Sequence, residues 1–221
     1  MNDFVLAYLK RGHTSSDTRR AATLLNEAKI PFAGQMMIGL PTATEEDEIL
    51  CAKEICTLGA IGARIYPTLV FKMTELEALT RRNEYVPLSI DEAVVRSARA
   101  YRIFLENNVF CYRIGLCESE NLHSDSSFYK GPNSASIGEM VRSRVFLDYI
   151  CEGIEQSGIK AADEIVIFCP IGKASQVIGN KKANITELKN RFEYKSIKVV
   201  ETSSLNGFEI KVREKEESQC D

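Results

Sequence analysis

Arg64 and Tyr66 are the first residues whose types and spacing suggest chemistry. They lie in the apolar run Ala63-Arg64-Ile65-Tyr66, which Pro67 stops. Read as a strand, alternation puts Arg64 and Tyr66 on one face and Ile65 on the other. Ile65 is then the side that packs on a helix. The polar pair falls near the C-terminal end of the strand, where ligands sit in α/β layers. Gln35-Met36-Met37-Ile38-Gly39-Leu40-Pro41 has the same grammar: strand, then a Gly/Pro stop, then a helix. Gln35 and Arg64 can hydrogen-bond, and Tyr66 can also stack.

Other chemically capable residues give weaker patterns. The seven cysteines are Cys51, Cys56, Cys111, Cys117, Cys151, Cys169 and Cys220. The spacings of the close pairs, Cys51/Cys56 and Cys111/Cys117, fit neither zinc nor cluster motifs. An odd count without a secretion signal reads as reduced thiols, used as small buried hydrophobes. Ser119, His123 and Asp125 share one stretch, but a triad is defined by geometry and not by closeness in sequence. Glu45-Glu46-Asp47-Glu48 reads as a solvated helix start. His13 sits where a loop meets a helix and is expected to cap or pack.

The elements that must position these residues follow from periodicity and punctuation. Helices are predicted over 16–28 (capped by Ser15 or Ser16), 44–58, 74–82, 90–107 and 137–157. Strands are predicted over 32–38, 63–66 and 109–114, so strands alternate with helical crossovers, which implies a parallel sheet. Residues 117–136 are polar and turn-rich and read as a loop. From Ile159 the pattern changes to strand 164–169, helix 173–178, a turn at Gly179-Asn180-Lys181-Lys182, helix 183–191, and strands 195–200 and 208–212. Composition adds bounds. With 221 residues, 44% apolar, 27% charged and a formal net charge of -3, the chain is ordinary globular protein without a global electrostatic footprint for nucleic acid. No apolar N-terminal stretch follows a basic start, and no run reaches membrane-spanning length. The expected location is the cytoplasm.

The segments KRGHT, QMMIGLPTATEED, RIYPTLVFKMTELEAL, NEYVPLSIDEAV and YRIGL together resemble the radical SAM superfamily, nearest to the Elongator-catalytic-subunit-like branch. The resemblance covers roughly residues 1–155. It implies a (β/α) barrel, a 4Fe-4S cluster held by CxxxCxxC, and S-adenosylmethionine cleaved to a radical. It also implies that Gln35, Met37, Arg64, Tyr66 and Arg113 form a cofactor- and substrate-side wall. The structural alternative is that Met37 is plain core and that Arg64 and Arg113 are neutralised structurally. No CxxxCxxC occurs in this sequence. The expectation is therefore a half-barrel with an unpaired leading edge, either completed by the N-terminal half on a separate chain or produced from a truncated gene, and inactive alone.

The tail resembles a minimal KH module. In that family a GxxG loop lets the nucleic-acid backbone approach two helix ends. Here Gly179, Asn180, Lys181 and Lys182 occupy the loop, with lysine at the second glycine. That departure weakens close clamping and adds positive charge. The expected fold class is α/β: the C-terminal part of a radical SAM partial barrel over 1–158, a small KH-like α+β module over 159–213, and a disordered tail over 214–221. The function expected is radical SAM chemistry without the cluster half. The alternative is an RNA-binding or protein-interaction module using the tail.

Overall fold

In the computed structural model, which describes residues 1–116, 127–159 and 164–214, the chain divides into two units, Met1–Gly138 and Glu139–Asp221. The first unit runs α1 (Asp3–Tyr8), α2 (Ser15–Glu27), β1 (Ala33–Ile38), α3 (Glu45–Thr57), β2 (Gly62–Pro67), β3 (Val70–Phe71), α4 (Glu75–Arg81), α5 (Ile90–Glu106), β4 (Phe110–Ile114) and β5 (Phe128–Lys130). Strands β1, β2 and β4 form a parallel sheet in the order β1-β2-β4. This is the topology expected when helices make every crossover. Helices α3 and α5 pack on one face, over Met36, Ile38, Ala63, Ile65 and Cys111, all buried. Glycine at position 34 lets α3 approach closely, because a Cβ there would come within 2.5 Å of the Ile55 side chain.

Three helix starts are written locally. Thr14/Asp17, Thr44/Asp47 and Ser89/Glu92 are complete capping boxes at the starts of α2, α3 and α5. The cap of α2 is thus Thr14 and not Ser15 or Ser16, since only Thr14 is three residues ahead of a carboxylate. Backbone hydrogen bonds from the cap residues are the main cause holding the carboxyls of Asp17, Asp47 and Glu92 below their usual range. A depressed carboxyl adds stability above its unfolded value and loses it as pH falls through the folded value. The melting temperature should therefore fall as pH drops below about 4, near the unfolded carboxylate values. The variant Asp17→Asn/Asp47→Asn/Glu92→Gln should show a shallower fall. Equal acid slopes in scanning calorimetry would refute this role.

One expected loop contains a strand. β5 pairs antiparallel with β3, Val70 opposite Lys130 and Phe71 opposite Phe128. A two-residue ladder is too short to leave an alternation signal. Ser119, His123, Asp125 and Cys117 lie outside the described residues, as do Cys220 and positions 215–221.

The second unit holds most of α6 (Ile137–Ser157), then β6 (Glu164–Pro170), α7 (Ala174–Ile178), a 3-10 turn at Asn180–Lys182, α8 (Ala183–Phe192), β7 (Ser196–Thr202) and β8 (Lys211–Glu214). The boundary falls at Gly138/Glu139, twenty residues before the expected 158/159. The reason is packing: Phe146, Leu147, Ile150, Cys151 and Ile154 of α6 share one core with Ile165, Ile167, Cys169, Val177 and Leu188. Glu214 belongs to β8, so the expected tail begins too early. β6 is the central strand, parallel to β7 and antiparallel to β8.

Candidate functional site

The face of the β1-β2-β4 sheet away from α3 and α5 carries the candidate site. Register places Gln35 beside Arg64, and Arg64 beside Arg113, in one cross-strand row. Met37 and Tyr66 pair in the next row toward the C-terminal ends. All five predicted residues therefore share one face. Gln35, Arg64 and Arg113 are exposed, and Met37 and Tyr66 are half-buried. Among the described residues, neither Arg64 nor Arg113 has an ion-pair or side-chain hydrogen-bond partner. Structural neutralisation of the two arginines is not seen among the described residues. Two guanidiniums on adjacent strands repel each other. An anionic or hydrogen-bond-accepting ligand would relieve that repulsion.

Arg113 reaches this face through an irregularity. Simple alternation from buried Cys111 would turn Arg113 inward. A bulge between Ala63 and Arg64 in the pairing leaves Tyr112 as the extra residue, so Cys111 opposes Ala63 and Arg113 opposes Arg64. Phe110 and Tyr112 then lie exposed with ring centroids 5.1 Å apart, edge to face. Gly62 permits this, since a Cβ there would lie 2.1 Å from the Tyr112 ring. These two aromatics were not among the predicted site residues. Alternation from buried Cys111 already turns both outward, so that signal lay in the sequence.

The C-terminal turn of β1 is held by a buried polar network. The Gly39 amide donates to Glu48 at 2.6 Å, and its carbonyl accepts from the Tyr85 hydroxyl at 2.6 Å. Arg96 donates to both Glu48 oxygens, at 2.8 and 2.6 Å. Glu48 is 4% exposed, so it is not part of a solvated helix start. Burial pushes its carboxyl up, against the pull of Arg96 and the Gly39 amide. Burial also pushes the Tyr85 phenol up to about 12, which keeps it a neutral donor. A signal did exist: Glu48 shares the buried stripe of α3 with Ala52 and Ile55.

Among the described residues, no strand pairs with the other edge of β1. The carbonyls of Phe32 and Ile38 accept from Ile61 and Thr68 on the β2 side. By the period of two, the amides and carbonyls of Ala33, Gln35 and Met37 point away from the sheet. A cavity of about 380 Å³ runs along this edge, lined by Val5, Leu9, Ala22, Leu25, Met36 and Ile55 among others. His13 also borders it and touches the Arg11 carbonyl through Nδ1 at 3.0 Å. Among the described residues, no three His, Cys, Asp or Glu side chains gather closely enough to hold a metal ion. The described cysteines are free, and burial raises the thiols of Cys51, Cys56, Cys151 and Cys169.

In the second unit the loop of Gly179, Asn180, Lys181 and Lys182 joins α7 to α8, as predicted. Asn180, Lys181 and Lys182 are exposed, and both lysines adopt left-handed backbone, with φ of 50° and 65°. Lys182 thus holds a backbone region that glycine favours. Buried Asn184 ties the loop down by donating to the carbonyls of Ser143, Gln176 and Val177 at 3.0–3.2 Å.

A parallel β/α layer with a polar row on one face is the kind of layer that builds α/β barrels and open sheets, and the sequence comparisons point to one family. Residues 61–146 match the Radical_SAM C-terminal domain. The chain is similar to radical SAM proteins of the Elongator-like kind, over the C-terminal part of their barrel. It is 34% identical over 93 residues to a tRNA uridine(34) acetyltransferase of Methanocaldococcus jannaschii, covering 41% of this chain and 17% of that protein. An uncharacterized protein of the same organism is 30% identical over 94 residues, covering 42% and 29%. The fold is similar to that of Methanocaldococcus infernus Elp3 with N-terminal residues 1–46 deleted: TM-score 0.53, 23% identity, covering 72% of this chain and 34% of that one. The chain thus spans less than a third of the length of these two curated relatives. No helix among the described residues is long and apolar enough to cross a membrane.

Proposed function

We propose that residues 1–138 supply the cofactor- and substrate-side wall of a radical SAM barrel. The observation that carries this is the pair Arg64 and Arg113, side by side on one sheet face and without partners among the described residues. The donor set fits S-adenosylmethionine: Arg64, Arg113 and Gln35 offer hydrogen bonds to its carboxylate and ribose, and Tyr66 and Met37 an apolar wall to its adenine. Bound together with a 4Fe-4S cluster, that cofactor supplies radical chemistry. The described cysteines do not fit a cluster, and no CxxxCxxC occurs here. The cluster loop is therefore furnished by sequence outside these 221 residues. Its strands complete the sheet along the free edge of β1, from a separate chain where that half is encoded apart. Reduced thiols suit a cytoplasmic setting.

Anaerobic reconstitution with iron and sulfide is expected to leave this chain without a stoichiometric cluster. Supplying a CxxxCxxC-bearing segment from a radical SAM protein should restore both cluster and cofactor binding. Arg64→Ala/Arg113→Ala should then weaken S-adenosylmethionine binding roughly 10- to 100-fold, the worth of hydrogen bonds to charged groups. A cluster held by the chain alone, or binding indifferent to both arginines, would overturn the reading.

A second reading concerns the tail. The exposed lysines of the Gly179–Lys182 loop, without ion-pair partners among the described residues, favour phosphate contact by a KH-like module, and relatives named for tRNA modification favour RNA. With a side chain at Lys182, charge and not backbone clamping carries the contact. Lys182→Gly should weaken binding to a labelled oligouridine, and the salt slope should fall by about 0.7. Tighter binding would show clamping instead.

A further inference from the structure

We infer that the uncovered face of the β7-β6-β8 sheet is a stacking and phosphate-binding platform for single-stranded nucleic acid. This surface is distinct from the Gly179–Lys182 loop, and the inference does not rest on the loop reading. β6 alternates strictly. Ile165, Ile167 and Cys169 are buried in the core, while Val166 and Phe168 lie half-buried on the opposite face. Register sets Lys198 and Arg213 on either side of Val166, and Val200 and Lys211 on either side of Phe168.

The result is an aromatic ring in an apolar strip, bordered by three cations. Strand spacing places Lys198 and Arg213 about 10 Å apart, and the next row about 7 Å along the strands. The Arg213 guanidinium lies 6.0 Å from the Phe168 ring centroid. Lys198, Lys211 and Arg213 are exposed, and none has a carboxylate partner among the described residues. Elsewhere in the unit arginines are paired: Arg142 with Glu139, Arg144 with Asp148, and Arg191 with Glu155. The carboxylate that β6 places on this face, Glu164, sits at the far end of the strand.

Charge complementarity selects a polyanion as the occupant, and the central ring selects one with flat bases. Sequence-tolerant binding of single strands combines these two features: base stacking on aromatic side chains and cations that follow the backbone. Sheet faces carrying aromatics read single-stranded RNA in this way. Lysines on edge strands also discourage edge-to-edge pairing. That role needs charge alone, so Phe168 separates the two explanations.

The test uses the full chain and fluorescein-labelled twelve-nucleotide oligouridine and oligoadenosine, followed by anisotropy across a salt series. Lys198→Ala/Lys211→Ala/Arg213→Ala should flatten the dependence of log affinity on log salt by about 2, three contacts at roughly 0.7 each. Phe168→Leu should lower affinity roughly 5- to 150-fold with the slope unchanged, and Phe168→Tyr should retain it. Lys181→Ala/Lys182→Ala should leave the dependence on Phe168 intact. Unaltered melting temperatures certify the folded state of the charge and tyrosine variants. Three results would overturn the proposal. One is no binding of either oligonucleotide at 50 mM salt. Another is binding lost in the loop variant but kept in both sheet-face variants. The third is competition by duplex RNA or polyglutamate as effective as by the single strand, which would mean a duplex- or protein-directed charge patch.

Discussion

Arg96→Met is expected to destabilise the first unit by about 3–5 kcal/mol, the cost of stranding a buried charge. Glu48 is 4% exposed and accepts from both Arg96 nitrogens and from the Gly39 amide. Methionine matches the length of the lost arginine stem but offers no donor. Glu48 must then either stay charged with one backbone partner or take up a proton. Burial already raises its carboxyl above the ordinary value of 4.5, and loss of Arg96 raises it further. A raised carboxyl contributes stability that is fully present below its unfolded value and is lost as pH rises through the folded value. The deficit should therefore be small near pH 4 and largest at pH 7. Glu48→Gln/Arg96→Met removes the stranded charge and should recover much of the loss. Urea unfolding at both pH values decides this. A deficit under about 1 kcal/mol at pH 7 would mean that the pair is dispensable. The consequence for the site is direct, because the Gly39 turn ends the strand that bears Gln35 and Met37.

Gly179→Ala is expected to be the most damaging small substitution in the second unit. Gly179 has φ 79° and ψ 158°, a region kept by glycine, and holding a side chain there costs about 1–3 kcal/mol. Space makes it worse. The added Cβ would lie 2.9 Å from the backbone nitrogen of Asn184 and 2.9 Å from its side-chain Cγ. A backbone atom at a helix start does not swing aside as a flexible side-chain end does, and overpacking adds roughly 1–3 kcal/mol. Movement of Asn184 would also break its hydrogen bonds to Ser143, Gln176 and Val177. Lys182→Gly should act in the opposite direction, raising stability by up to about 1 kcal/mol, because it relieves left-handed backbone at φ 65°. Thermal unfolding of the two variants should bracket the parent. A neutral Gly179→Ala would show that the loop relaxes freely and does not constrain the helix pair.

Much of the frame was legible because its signals are local. Thr44 and Ser89 stand three residues before a carboxylate, and each opens a helix, whereas the cap expected at Ser15 or Ser16 lies at Thr14. Alternating strands and helices imply parallel pairing, and β1, β2 and β4 pair so. Alternation also put Arg64 and Tyr66 opposite Ile65, which is fully buried while Arg64 is exposed. The two-residue β3 and the three-residue β5 were not legible, and neither was the membership of α6. That helix is apolar enough to belong with either neighbour, and only its packing on Ile165 and Ile167 assigns it.

By itself, then, the sequence determined the elements, their order and the residue types available on each strand, since propensity, capping and period act within a few residues of one another. Tertiary structure alone decided which of those residues meet. The bulge at Tyr112 turned Arg113 outward beside Arg64. The pairing of β6 with both β7 and β8 gathered Lys198, Lys211 and Arg213 around Phe168 from segments up to 47 positions apart in register, as Val166 with Arg213. Glu48 found Arg96 across 48 residues. Register and burial are properties of several segments at once, and no window along the chain contains them.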